Sequence, residues 1–145
     1  MKKRVLFLCT TNSARSQMAE ALVNHDLRDR FEAYSAGTAP KTPHSAALKV
    51  LAEIGIDHGR ARSKSFEEFE GQPFDYVITL CDAANEICPL FFGGVERVHL
   101  GFEDPARVTG TEEEILTAFR CVRDQMRETV ENYLRSQTPA ALTDN

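Results

Sequence analysis

Cys9 and Arg15 enclose five residues, Thr10, Thr11, Asn12, Ser13 and Ala14, all of them small or polar. An apolar run, Val5-Leu6-Phe7-Leu8, leads into Cys9, and a helical pattern follows from Ser16-Gln17-Met18-Ala19-Glu20. This is the pattern of a strand, a tight loop and a helix N-terminus. Such a loop turns successive backbone N–H groups into one concavity, and the helix dipole adds positive potential there. Both features bind a tetrahedral oxyanion. Residues 10–16 are the candidate binding set, with Cys9 on the floor of the cradle and Arg15 on its rim. The same field favours a thiolate, so Cys9 is expected to be a nucleophile. The competing reading is a buried thiol at a strand end beside a solvated arginine. The uniformly small or polar loop and its place between strand and helix favour the catalytic reading.

The rest of the chain must hold this loop in place. Strands are expected at residues 4–9, 31–36, 74–80 and 95–100. Helices are expected at 15–29, with Met18, Leu22 and Val23 inward, and at 44–54, with Ala47, Leu48, Leu51 and Ile54 inward and Gly55 closing the end. Residues 38–43 carry Pro40 and Pro43 and read as a loop. Ser65 caps a short helix over 66–70, and a second short helix is expected over 82–87, stopped by Pro89. Thr111 opens the last helix. Glu112, Glu113 and Glu114 occupy its first turn, where the dipole prefers them, and Ile115, Phe119, Val122, Met126, Val130 and Tyr133 form its apolar stripe. Strands alternating with helices predict an α/β fold in which helices flank a four-stranded parallel sheet. Ligands of such sheets sit beyond the carboxyl ends of the strands. Cys9, Cys81 and Asp104 each fall at or just after a predicted strand end, so they are expected on one rim.

Composition narrows the function. The chain has 145 residues and 42% hydrophobic content, enough for one folded unit with a core. Residues 1–135 are expected to form a catalytic domain and 136–145 a frayed tail. A net charge of −5 argues against nucleic acid as the main partner. No apolar run approaches a bilayer span, and the run after Met1-Lys2-Lys3-Arg4 is too short for a signal peptide, so a cytoplasmic protein is expected. Four cysteines in such a chain suggest reactive or buried thiols before a disulfide framework. Cys121, beside Val122 in the last helix, is expected to be structural. His25, His44, His58 and His99 lack metal-ligand spacing, and neither metal nor cofactor is expected. No extra apolar stripe asks for a second copy, so a monomer is expected.

The run Cys9-Thr10-Thr11-Asn12-Ser13-Ala14-Arg15-Ser16-Gln17-Met18-Ala19-Glu20, with Asp104-Pro105 downstream, resembles the low-molecular-weight protein tyrosine phosphatase superfamily, whose fold is a three-layer sandwich. Thr79-Leu80-Cys81, Cys88-Pro89 and His99-Leu100-Gly101-Phe102-Glu103-Asp104-Pro105-Ala106 resemble, more specifically, its thioredoxin-coupled arsenate reductase branch. A phosphatase needs a nucleophile, an anion cradle and a general acid, which Cys9, the loop with Arg15, and Asp104 could supply. It has no use for Cys81 and Cys88. Reducing arsenate takes two electrons, and two thiols becoming a disulfide provide them.

The resemblance therefore implies arsenate as substrate, a cascade from Cys9 to Cys81 to Cys88, and thioredoxin as the partner that reduces the final Cys81–Cys88 disulfide. Seven residues of continuous helix rise about 10 Å, whereas a disulfide needs Cα atoms within roughly 7 Å. Residues 82–92 are thus expected to rearrange on oxidation, with Gly93-Gly94 as the hinge. The alternatives are a phosphomonoester hydrolase with vestigial thiols, or a non-catalytic oxyanion or redox sensor. The first makes no use of Cys81 and Cys88, and the second makes none of Cys9, Arg15 and Asp104. In the phosphatase branch aromatic residues follow the Asp-Pro pair, but here Ala106-Arg107 do. Asn12 and Ser35, with Glu20, are expected to brace the loop. Some relatives bind potassium near such residues. Lys64 stands where that site's carboxylate is expected, which implies that its ammonium replaces the ion.

Overall fold

The computed structural model describes residues 2–80 and 96–137. Its elements are β1 (Lys3–Cys9), α1 (Arg15–Asp26), β2 (Phe31–Gly37), α2 (Ser45–Ala52), a 3-10 turn at Phe66–Phe69, β3 (Tyr76–Thr79), β4 (Glu96–His99), a second 3-10 turn at Pro105–Arg107, and α3 (Glu112–Gln137). The four strands form one parallel sheet in the order β2-β1-β3-β4. This is the α/β architecture expected from the alternating pattern. The expected helix at 82–87, the rearranging segment 82–92, Gly93-Gly94, Cys81 and Cys88 lie outside the described residues.

β1 is central and buried on both faces, which is why its sequence is an unbroken apolar run. Val5, Phe7 and Cys9 face one core with α1, α2 and α3, while Leu6 and Leu8 face a second core with Phe69, Phe74 and Val77. The chain goes from β1 to β2 on one side and later to β3 on the other. The order of strands therefore reverses beside β1, and a crevice opens past its carboxyl end. Cys9 is the last residue of β1.

Several boundaries differ from expectation. α1 stops at Asp26, short of residue 29, because Leu27 leaves the helical region and its carbonyl accepts from Arg30 and Phe31, which turns the chain into β2. α1 also buries more than Met18, Leu22 and Val23. Ser16, Gln17, Ala19 and Ala21 are enclosed too, so the helix start is surrounded. In α2 the inward residues are Ala46, Ala47, Val50 and Leu51; Leu48 is half-buried and Ile54 lies beyond the helix. Gly55 ends that turn at φ +82°, as a closing glycine should. Thr111 and Glu114 cap α3 reciprocally: the Glu114 N–H donates to Thr111 Oγ1 at 3.1 Å, and the Thr111 N–H to Glu114 Oε1 at 2.8 Å. α3 runs through Gln137, beyond the expected start of the tail. Its stripe holds, with Leu134 buried where Tyr133 is only partly so.

The end of α1 is tied to α3 by charge. Arg127 grips Asp26 through two hydrogen bonds, of 2.8 and 3.0 Å, and His25 Nδ1 lies 2.9 Å from the same carboxylate. Glu131 is buried, with Oε1 taking a bond from Arg135 at 3.2 Å and Oε2 meeting no donor among the described residues. Burial first, and the Asp26 carboxylate second, push the Glu131 carboxyl up to about 8. Asp26 is held well below its usual range, its burial outweighed by hydrogen bonds from Glu131, Arg127 and His25. The pair is satisfied when Glu131 keeps its proton and donates it to Asp26. A carboxyl raised in the folded state stabilises fully below its unfolded value, and the contribution is lost as pH rises through the folded value. The melting temperature is therefore expected to fall by about 3–5 °C between pH 5 and 9. Glu131→Gln, which mimics the protonated acid, should flatten that slope in a calorimetric pH series.

Candidate active site

The loop 10–14 crosses the crevice and delivers the chain into α1. Ala14, the N-cap, has no side-chain acceptor, and the first turn of α1 carries no acidic residue. The first N–H groups of a helix are orphans unless capped. Neither the N-cap side chain nor an acidic residue in the first turn competes for them, which leaves them and the helix dipole for an anion.

Backbone hydrogen bonds orient the loop. The carbonyl of Thr10 accepts from the Ala39 N–H at 2.8 Å, that of Thr11 from Lys41 at 3.0 Å, and that of Ser13 from His44 at 2.9 Å. The Asn12 carbonyl is taken by Ser63 Oγ at 2.6 Å and Gln17 Nε2 at 3.1 Å. With the carbonyls of residues 10–13 engaged by these neighbours, the peptide planes are fixed. Asn12 itself sits at φ +50°, the left-handed conformation that makes an anion-binding nest. Its side chain bolts the turn: Oδ1 accepts from the Lys64 N–H at 2.8 Å and Gln17 Nε2 at 3.1 Å, and Nδ2 donates to Ser16 Oγ at 2.7 Å. Ser16 Oγ lies 2.9 Å from Cys9 Sγ.

The expected residues come together. Cys9, Thr11, Ser13, Ala14, Arg15 and Asp104 line one small cavity of about 210 Å³, with Lys41, His44 and Ala106 completing its wall. Cys9 is buried at its base. Arg15 Nη1 donates to the Phe102 carbonyl at 3.0 Å, and Nη2 stands 3.6 Å from Asp104 Oδ2. Asp104 Oδ1 accepts from the Ala106 N–H at 3.0 Å, capping the 3-10 turn at Pro105–Arg107, so one carboxylate oxygen is fixed and the other faces Arg15. Thr10, Asn12 and Ser16, also expected in the binding set, do not line this cavity; Asn12 and Ser16 stand behind it, with Ser16 Oγ against the thiol. A nucleophile, a fixed cation, a cradle of N–H groups and a carboxyl group on one cavity suit nucleophilic attack on a small oxyanion.

Two expectations need correction. Ser35 does not reach the loop; its hydroxyl donates to Glu20 Oε1. Cys121 is exposed and lines the groove between α3 and the segment after β4. Adjacent positions on a helix point about 100° apart, so a neighbour of buried Val122 need not be buried. Beneath the loop, Lys64 Nζ lies 3.9 Å from Glu20 Oε1 and donates to the Arg62 carbonyl at 2.9 Å. Burial pushes Glu20 up and Lys64 down, each opposed by the other's charge.

Lys41, His44, Ser63 and the strap 39–44 carry no local sequence signal, because each meets the loop from a distant part of the chain. Gly37 carried a partial signal as a glycine at a strand end. A Cβ there would stand 2.6 Å from the Thr10 carbonyl oxygen, 2.9 Å from the Asn12 nitrogen and 2.9 Å from the Cys9 carbonyl oxygen. All three are backbone atoms that cannot step aside cheaply.

The chain belongs to the low molecular weight phosphotyrosine protein phosphatase family, whose model matches residues 4–143. Among solved structures it resembles a low molecular weight protein tyrosine phosphatase from T. tengcongensis, with a TM-score of 0.77 at 25% identity, covering 93% of this chain and 99% of that one, and its similar relatives also include arsenate reductases. It is 42% identical to an arsenate reductase of Halalkalibacterium halodurans over 132 residues, 91% of this chain and 95% of that protein. Among solved structures, an arsenate reductase in the reduced state superposes with a TM-score of 0.76 at 33% identity, covering 94% of this chain and 98% of that one. The thioredoxin-dependent arsenate reductase of Corynebacterium glutamicum gives a TM-score of 0.70 at 27% identity, covering 93% of this chain and 63% of its own.

Gly37→Ala should displace the loop backbone while leaving every site side chain in the sequence. Affinity for inorganic phosphate, used as an oxyanion probe in titration calorimetry, is expected to fall by roughly fivefold to a hundredfold, as overpacking against backbone costs about 1–3 kcal/mol.

Proposed function

We propose that the protein reduces arsenate to arsenite, and the observation that carries this reading is the cavity. It is large enough for a tetrahedral inorganic oxyanion, has a thiol at its base, and is walled by Ala106 where a phosphotyrosine site would want an aromatic platform. Relatives named arsenate reductase, aligned over nearly their whole length, support it.

Arsenate binds with its oxygens on the loop N–H groups and Arg15. The Cys9 thiolate attacks arsenic, and a hydroxyl departs as water with a proton from Asp104, leaving an As–S bond with arsenic still pentavalent. The Cys81 thiolate then attacks Cys9 Sγ. An S–S bond forms, the As–S bond breaks with its electron pair remaining on arsenic, and arsenite leaves. Cys88 attacks Cys81 Sγ, releasing Cys9 and closing the Cys81–Cys88 disulfide. Two thiols are oxidised for each arsenate reduced, so the electrons balance. The register of the sheet supports the second step: the N–H of Leu80, the residue before Cys81, bonds to the carbonyl of Leu8, the residue before Cys9, at 2.8 Å. A dithiol of the thioredoxin kind restores the enzyme by exchange, in keeping with the thioredoxin-dependent relative. The Lys64 ammonium beside Glu20 fills the cation position under the loop, which predicts turnover indifferent to potassium.

Arsenate-dependent NADPH oxidation with thioredoxin and thioredoxin reductase, run beside aryl phosphate hydrolysis, tests the proposal. Wild type should turn over arsenate. Cys81→Ser should lose that turnover by at least about a hundredfold, while any slow phosphatase activity, which needs only Cys9, Arg15 and Asp104, survives. Equal arsenate turnover in the two proteins would refute the cascade.

A further inference from the structure

Gln17, the third residue of α1, is fully buried, and its amide orientation follows from its partners. Nε2 lies 3.1 Å from the Asn12 carbonyl oxygen, 3.1 Å from Asn12 Oδ1 and 3.0 Å from the Arg62 carbonyl oxygen. All three are acceptors, so two amide hydrogens are shared among them and Oε1 must face the other way. It meets His58 Nε2 at 2.8 Å. An amide oxygen only accepts, so His58 carries its hydrogen on Nε2. That hydrogen is present on the neutral ring and on the charged ring alike. Burial first, and the nearby Lys64 charge second, push the His58 ring towards neutrality.

The bonds form a chain with one direction. His58 Nε2–H donates to Gln17 Oε1, Gln17 Nε2–H to Asn12 Oδ1, and Asn12 Nδ2–H to Ser16 Oγ. Each donor commits the next group to be a donor in turn. Ser16 Oγ, already an acceptor from Asn12, has its own hydrogen left for Cys9 Sγ at 2.9 Å. Hydrogen bonds in series polarise one another and strengthen towards a terminal anion. The last members belong to the loop itself. His58 does not: it lies half-buried in the segment after α2, and among the described residues it is no part of the cavity's lining.

We propose that His58 is a positioning residue for the Cys9 nucleophile, acting through Gln17, Asn12 and Ser16 to keep the Ser16 hydroxyl donating to the sulfur. The inference rests on the reading of Cys9 as nucleophile given above. Without the His58 donor, Gln17 Oε1 is left buried and unpaired, the amide shifts from its acceptors, its bond to Asn12 Oδ1 weakens, and the Ser16 hydroxyl is held less firmly towards the sulfur. The sulfur keeps the loop N–H groups but loses a side-chain donor.

The test uses the reduced full-length protein and the rate at which iodoacetamide alkylates Cys9, resolved from the other cysteines by peptide mass spectrometry. His58→Leu and His58→Met remove the donor in two shapes, so that one folded variant suffices; His58→Gln keeps a side-chain N–H of similar reach. Either apolar variant should slow Cys9 alkylation about fivefold, an effect of the size of one hydrogen bond, with kcat for arsenate falling alongside and KM unchanged. His58→Gln should stay within about twofold of wild type. Unchanged alkylation in the apolar variants overturns the proposal, as does an equal loss in His58→Gln, which would mean that shape and not the donor matters. Absence of arsenate turnover in wild type would instead defeat the functional reading, and the alkylation comparison would still decide the role of His58.

Discussion

The site depends on one constraint: a short loop must turn its N–H groups towards a cavity, and so must settle its carbonyls elsewhere. A buried carbonyl without a donor costs about as much as a lost hydrogen bond or more. The protein meets this with N–H groups from Ala39, Lys41 and His44, and with the side chains of Ser63 and Gln17. The strap 39–44 is therefore part of the site, although it contributes little chemistry of its own. Asn12 in its left-handed conformation is the pivot, and most of its polar groups are engaged in holding that turn. Gly37 has to lack a side chain because β2 ends against this same turn.

With the loop fixed, the electrostatics follow. α1 begins at a residue that cannot cap it, so its first amides remain for an anion. Arg15 is held at the rim by the Phe102 carbonyl and by Asp104, and Asp104 is held by the Ala106 N–H. A chain of net charge −5 thus gathers a guanidinium and uncapped helix amides around Cys9. Preorganised donors of this kind need no rearrangement as negative charge builds on the reacting oxygens.

What could be read from sequence was what lies close in sequence. The run from Val5 to Glu20 contains the strand, the loop and the helix start, so local pattern alone was enough to put Cys9 at the strand end and Arg15 at the helix start. Asp104 was legible through the rule that strand ends share a rim. The strap, Ser63, Gln17 as a structural hub, and His58 were not legible, since each depends on where β2 and the segment after α2 pass the loop. The errors have the same origin. Cys121 has a buried neighbour, Val122, but its own angle on α3 turns it outward. Nothing in the sequence between Asp26 and Asp29 forbids a longer α1; the turn through Leu27 is imposed by the approach to β2.

The cradle alone suits phosphate ester hydrolysis and arsenate reduction equally well, since both begin with a thiolate attacking a tetrahedral centre. The two differ in the fate of the adduct, which in the proposed cascade Cys81 and Cys88 divert from water to sulfur. The most direct measurement is a single turnover of the fully reduced protein with arsenate and no external reductant, with arsenite and free thiols both counted. One arsenite is predicted for each two thiols lost, and peptide mapping should place the new disulfide between Cys81 and Cys88. Arsenite formed with all thiols intact, or a disulfide elsewhere in the chain, would contradict the account.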